Sequence, residues 1–208
     1  MLQAELSRLL AKTELTVTAK QQQLLLAYVE LLHKWNGAYN LTSVREPKAM
    51  IGRHLLDSLV VAPYLNGNQV IDVGTGPGLP GVPLAIYYPD KHFVLLDSLG
   101  KRIRFLNQVK RQLNLTNIEP VQCRVEDHQV AQGYDAVISR AFANMTDMVQ
   151  WCRHLPSPTG RFLAMKGAAV QEEIAALPDF VRVTAVHALQ VPGQNAERHL
   201  VELEKIIA

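Results

Sequence analysis

The sequence predicts an α/β protein: a Rossmann-like, doubly wound, mostly parallel sheet with a C-terminal antiparallel hairpin, preceded by a helical extension. Three observations carry this. From about residue 69 onward, short apolar runs bounded by turn residues alternate with amphipathic stretches of helical period, the rhythm of β-α-β units. A glycine cluster follows the first apolar run, where a strand would turn into a helix. Only about seven residues, Pro192 and Gly193 among them, separate the last two strand-like stretches. That is too short for a parallel crossover, so the two must pair antiparallel.

Residues 1–65 read as a helical N-terminal extension packed on a core domain of residues 66–208. Thr18 and Gln21 form a capping box, and Leu24, Tyr28, Leu31 and Trp35 follow at helical spacing. The run Asn40-Leu41-Thr42-Ser43 reads as a break. Pro47 suits a first helical turn, and Ile51, Leu55, Leu59 and Pro63 mark the face and end of the next helix. After the turn Asn66-Gly67-Asn68, strands are expected at 69–73, 92–97, 118–123, 134–139 and 161–166. Helices are expected at about 80–88, 100–113, 144–155 and 168–177, and the hairpin strands at 181–191 and 199–206. Trp35 and Tyr39 read as core residues rather than a base-stacking platform.

Composition narrows the class. The 208 residues can bury a substantial core, and 48% apolar with 19% charged residues exclude a disordered chain. The best apolar stretch, Leu55 to Leu65, is interrupted by Asp57 and Ser58 and falls short of the roughly 18–20 residues a bilayer needs. Glu5, Arg8 and Lys12 break up any signal-peptide apolar region. Cys123 and Cys152 form no CxxC pair and no His/Cys cluster has zinc spacing, so no metal is expected and both read as reduced thiols of a cytoplasmic protein. A net charge of +2 suits contact with nucleic acid without demonstrating it. His54, His92, His128 and His187 are scattered and read as ordinary surface or capping residues.

The central motif is Asp72-Val73-Gly74-Thr75-Gly76-Pro77-Gly78-Leu79-Pro80-Gly81. Such a loop lets backbone approach a ligand closely and aims amide N–H groups at it. Asp97, at the end of the next strand, can accept both hydroxyls of a ribose. Together these features bind the nucleoside half of a cofactor. Gly76-x-Gly78-x-x-Gly81 alone would also suit a nicotinamide cofactor, but three features favour S-adenosylmethionine. Asp72 can engage the methionine ammonium, directly or through water, and would face a pyrophosphate badly. The glycines also read as Gly74-x-Gly76-x-Gly78, the methyltransferase pattern, and the closing hairpin is the methyltransferase variant of the sheet. Glu126, past the third strand, is placed to meet an adenine edge, with Val125 beside it. Arg140, after the fourth strand, can pair with the methionine carboxylate or with RNA phosphate. Lys101, Arg102, Lys166, Arg198 and His199 gather near one rim as candidates for RNA contact.

The residues from Ile71 to Leu84 resemble the cofactor loop of the RsmG (GidB) methyltransferases. So do Leu96-Asp97-Ser98-Leu99-Gly100-Lys101-Arg102, Ser139-Arg140-Ala141-Phe142 and Glu197-Arg198-His199-Leu200-Val201. Lys34-Trp35-Asn36, Tyr39-Asn40-Leu41-Thr42-Ser43 and Arg53-His54-Leu55-Leu56-Asp57-Ser58 are similar as well. The resemblance implies a class I methyltransferase fold and a bacterial cytoplasmic enzyme that uses S-adenosylmethionine to methylate N7 of guanine 527 in 16S rRNA. Naked RNA and an assembling 30S particle are both open as substrate forms, and no stable protein partner is expected. It carries cofactor contacts over to Gly74, Leu79, Val125, Glu126 and Arg140. Guanine N7 holds a lone pair and needs no deprotonation, so no general base is required and none is evident. The competing readings are a methyltransferase acting on another RNA, a protein or a small molecule, a nicotinamide-dependent oxidoreductase, and a non-catalytic RNA-binding relative.

Overall fold

A computed structural model describes residues 1–206. The extension comprises α1 (Leu2–Leu10), α2 (Ala19–Tyr39) and α3 (Pro47–Met50), which runs through a π-helical stretch (Ile51–Leu56) into the short α4 (Asp57–Leu59) and a 3-10 turn (Ala62–Tyr64). The Thr18–Gln21 capping box forms in both directions, and Asn40 ends α2 in the left-handed conformation. The π-helical turn is the departure here. A continuous helix was expected from the spacing of Ile51, Leu55 and Leu59, and all three are buried as that spacing requires, yet the ladder is locally widened. Ser58 Oγ donates to the His54 carbonyl at 2.6 Å, satisfying an acceptor within that turn.

The core is a seven-stranded sheet of order β3-β2-β1-β4-β5-β7-β6. It is built from β1 (Gln69–Val73), β2 (His92–Asp97), β3 (Ile118–Gln122), β4 (Tyr134–Ser139), β5 (Pro156–Lys166), β6 (Val181–Leu189) and β7 (Arg198–Lys205). Strands β1 to β5 run parallel, and β7 lies antiparallel between β5 and β6. Helices α5 (Gly81–Tyr87), α6 (Gly100–Gln112), α7 (Met145–Trp151) and α8 (Val170–Ala175) connect them. The order reverses between β1 and β4, and in such sheets ligands bind at the strand carboxyl ends beside that reversal.

Alternate residues of each central strand face opposite layers. Val70 and Leu95 join a cluster with Leu84, Leu106, Tyr28, Leu32, Leu55 and Leu59, so the extension and one sheet face share a continuous buried layer. Ile71, Val73, Val94 and Leu96 face the opposite layer with Met148, Val149 and Val201. Trp35 stacks on Tyr39 with ring centroids 5.0 Å apart and tilts against Phe105, a packing role. Strand β5 begins at Pro156, five residues before the expected start. Pro156-Ser157-Pro158-Thr159-Gly160 has the composition of a turn, but Tyr134 pairs with Pro156 across a bulge, the kind of irregularity where strand prolines are tolerated.

Candidate active site

The glycine loop is fixed from three sides. Gly74, Gly76 and Gly78 all adopt positive φ. Asp72, at 0% exposure, accepts on Oδ2 from Thr75 Oγ1 at 2.6 Å and from the Gly81 amide at 2.8 Å. Asp97 Oδ2 accepts from the Gly76 amide at 2.9 Å. From the extension, the buried Tyr28 hydroxyl donates to the Pro77 carbonyl at 2.9 Å. Burial pushes the Asp72 carboxyl up to about 6, against the Thr75 and Gly81 hydrogen bonds and the charge of Arg140, which favour the ionised form. Its second oxygen, Oδ1, is buried with no partner among the described residues. Such an acceptor marks a place where a donor fits.

Beside the loop lies a cavity of about 470 Å³, within the roughly 300–1,000 Å³ range of small-molecule sites. Gly74, Asp97, Val125 and Glu126 line it, with apolar surface from Leu96, Phe142 and Trp151. These residues suit a nucleoside: a carboxylate at a strand end for a ribose and apolar walls for a planar base. A larger cavity, about 700 Å³, opens among Glu5, Arg8, Gly52 and Gln194. No glycine-loop residue lines it, so volume alone does not locate the chemistry. Gly76, Gly78, Leu79 and Asp72 also stay off the wall of the 470 Å³ cavity. Leu79 is buried in the core, and Asp72 reaches the loop only through its hydrogen bonds. Arg140 lines a separate neighbouring cavity.

Asp97 already accepts from the amides of Gly76 and Leu99 and from Arg102 Nη1, at 3.0 Å to Oδ2 and 3.3 Å to Oδ1. A ribose at this carboxylate therefore competes with Arg102. Asp97→Ala should weaken S-adenosylmethionine binding by about 1.5–3 kcal/mol, the scale of hydrogen bonds to charged groups. Titration calorimetry reads this directly, and unchanged affinity would remove Asp97 from the site.

The five basic candidates are held in different ways. Arg102 pairs with Asp97 and lines the 470 Å³ cavity, with its Nε buried and without a partner among the described residues. Lys101 Nζ donates to the Tyr39 carbonyl at 3.0 Å. Lys166 pairs with Glu173 at 2.9 Å and donates to the carbonyls of Phe142 and Ala143. His199 Nδ1 bonds the Gly167 carbonyl at 2.9 Å, and Arg198 bonds Asp57 at 3.0 Å. The structure thus brings Lys166, Arg198 and His199 together with Arg140, and sets Arg102 against the 470 Å³ cavity beside the glycine loop.

Three features escaped the sequence reading. The pairing of Arg102 with Asp97 was signalled only by their five-residue spacing across the start of α6. Trp151, half exposed at the cavity wall, had a faint signal in its i, i+4 relation to Asp147. His54, expected at the surface, is 5% exposed. Its Nδ1 bonds the Arg53 carbonyl and its Nε2 the Thr42 hydroxyl at 2.8 Å. A carbonyl can only accept, so Nδ1 carries the proton and Nε2 accepts from Thr42. Burial, helped by Arg140, holds its pKa down to about 4.

The strand order, the reversal at β1/β4 and the antiparallel β7 define a class I methyltransferase fold. Solved structures share it. TrmN from Thermus thermophilus matches with a TM-score of 0.57 at 16% identity, over 75% of this chain and 53% of that one. Coclaurine N-methyltransferase, bound to N-methylheliamine and SAH, gives 0.57 at 16%, over 90% and 73%. In sequence, the chain matches the family described as GidB, rRNA small subunit methyltransferase G, over residues 21–201. It is 59% identical over 198 residues to ribosomal RNA small subunit methyltransferase G of Photobacterium profundum, spanning 95% of this chain and 96% of that protein. The protein of the same name from Salmonella typhimurium is 61% identical over 197 residues, 95% of each chain. The chain belongs to the rRNA small subunit methyltransferase G family and is a methyltransferase of small-subunit ribosomal RNA.

Proposed function

We propose that the protein transfers a methyl group from S-adenosylmethionine to N7 of guanine 527 in 16S rRNA, in the cytoplasm, where ribosomal subunits assemble. The observation that carries the reading is the glycine loop, pinned by Asp72 and Asp97 beside a cavity of nucleoside size in a chain of this family. Gly74, Asp97, Val125 and Glu126 hold the nucleoside, and Asp72, fully buried and off the cavity wall, serves the donor indirectly by pinning the loop. Gly76, Gly78 and Leu79 shape the loop, whose amides do not face the ligand as the motif predicted but donate inward, to the carbonyls of Leu96 and Thr75 and to the carboxylates of Asp97 and Asp72. S-adenosylmethionine supplies a methyl group on a positively charged sulfonium, electrophilic enough to need no further activation.

The protein's work is then alignment and exclusion of water. Among the described residues no histidine lines the cavity. The Cys123 thiol that does is pushed above its usual range, first by desolvation and then by Asp127 and Glu126, so it is a poor base at neutral pH. An attacking atom that already carries a free lone pair, as N7 of guanine does, asks none of the lining groups, the carboxylates of Asp97, Glu126 and Asp147 included, to take a proton. Exocyclic amines and ribose hydroxyls must lose a proton and usually need a group to take it.

Incubation with labelled S-adenosylmethionine and 16S-containing particles, followed by digestion to nucleosides, should place the label in 7-methylguanosine. Turnover at saturating substrates should vary little between about pH 6.5 and 8.5. Label on adenine, cytosine or a ribose would overturn the assigned chemistry.

A further inference from the structure

Asp57 sits where three distant parts of the chain meet. It follows the π-helical stretch, and its amide bonds the carbonyls of Gly52 and His54. Arg140, in the turn after β4, donates through Nη1 to Asp57 Oδ2 at 2.9 Å. Arg198, the first residue of β7, donates through Nε to Oδ1 at 3.0 Å. The Asp57 side chain is 7% exposed, whereas those of Arg140 and Arg198 keep 28% and 34%. One buried carboxylate thus serves two half-open guanidiniums and leaves a formal charge of +1. A guanidinium has five N–H donors, and Arg140 uses one of them on the described residues.

Both arginines line a cavity of about 290 Å³ with Met165, Lys166 and Gly167. Lys166 is neutralised by Glu173, so the excess positive charge belongs to the arginine pair. This cavity adjoins the methyl-donor cavity: Arg140 lines one, and the next residues, Ala141 and Phe142, line the other.

We propose that Asp57 is a positioning residue that holds Arg140 and Arg198 as a paired-guanidinium seat for one oxyanion beside the methyl-donor cavity. The oxyanion is a phosphate of the RNA strand or the methionine carboxylate of the donor. Both present the oxygens that planar guanidinium forks bind. The inference rests on the methyltransferase reading above and extends it to the extension, which then contributes a residue to the site. Two guanidiniums at one carboxylate repel each other, and the shared negative charge between them offsets that repulsion and fixes both forks. Without it they splay apart, and the seat loses its geometry while each arginine remains.

The test uses the full chain and three variants: Asp57→Asn, which keeps the side-chain volume, Arg198→Ala, and the double variant. Three quantities are measured: KM and kcat for methylation of 16S-containing particles, the calorimetric Kd for S-adenosylmethionine, and the thermal midpoint. Asp57→Asn should raise either KM for RNA or Kd for the donor about tenfold, the effect of losing a charge-assisted contact. A raised KM with weaker salt dependence identifies the phosphate, and a raised Kd identifies the carboxylate. The double variant should cost less than the sum of the two single effects, because Asp57 acts partly through Arg198 and partly through Arg140. The seat is overturned if the single effects simply add. It is equally overturned if Asp57→Asn lowers only the thermal midpoint while KM and Kd stay within about twofold of wild type. A wild-type protein that labels no RNA overturns the functional reading, an outcome distinct from parity between Asp57→Asn and an active wild type.

Discussion

Alanine at Gly78 is expected to cost the fold about 3 kcal/mol, against about 1 kcal/mol for the same change at Gly76, two residues away in the same loop. Both glycines have positive φ, +99° and +60°, so each alanine meets backbone strain. They differ in what a methyl group would meet. At Gly76 nothing lies within 4 Å, whereas at Gly78 the new carbon would sit 2.4 Å from Val82 Cγ2 and 2.8 Å from Leu106 Cδ2. Val82 and Leu106 are both fully buried, so neither can move aside without disturbing the layer between α5 and α6. Urea unfolding of the two variants measures the difference. Equal costs would mean that the loop relaxes as a unit and that the packing beneath it is soft.

The second large effect is one of pH. Asp72→Asn should make the protein lose stability more steeply than wild type as pH falls from about 6.5 to 4. His54 has its pKa held down to about 4, below the ordinary 6.5. As pH drops through that window the unfolded chain takes up a proton that the folded one refuses, so His54 withdraws stability on the acid side. Asp72 works in the opposite sense. Its carboxyl, raised from 3.8 to about 6, binds a proton in the folded state while the unfolded one stays ionised, so folding gains stability as pH falls through 6 toward 4. Each contribution is on the order of 3 kcal/mol, and in wild type they largely offset each other. Asparagine removes the Asp72 contribution and leaves that of His54 exposed. Unfolding midpoints measured across this range should diverge toward acid, and parallel curves for variant and wild type would refute the assignment.

The parts of the molecule that the sequence disclosed are those set by local pattern. Gln69–Val73, His92–Asp97 and Tyr134–Ser139 are apolar runs with turn residues at their ends, and each forms a strand with the expected bounds. Helix α6 begins at Gly100 and turns Ile103, Leu106 and Val109 inward, as their spacing requires. The glycine loop and Asp97 were legible because a short motif must supply both the turn and the carboxylate next to it. What escaped depends on partners far along the chain. Nothing local to Asp57 says that it meets Arg140 and Arg198, which lie 83 and 141 residues away. His54 likewise reads as an ordinary polar residue until the extension folds over it, and a proline-rich start hid the first half of β5. Periodicity reports which face of an element is buried, and only the assembled sheet decides which side chains meet at its carboxyl edge.

The position of β7 also bears on the order in which the molecule can be put together. Strand β6 precedes β7 along the chain, yet among the described residues its only neighbour in the sheet is β7. When β6 leaves the ribosome it therefore has nowhere to dock, and β5 keeps an open edge of unpaired amides and carbonyls. One late event, the insertion of β7, closes the edge of β5, recruits β6 and delivers Arg198 to Asp57. Completion of the sheet and completion of the arginine pair are thus a single step in time.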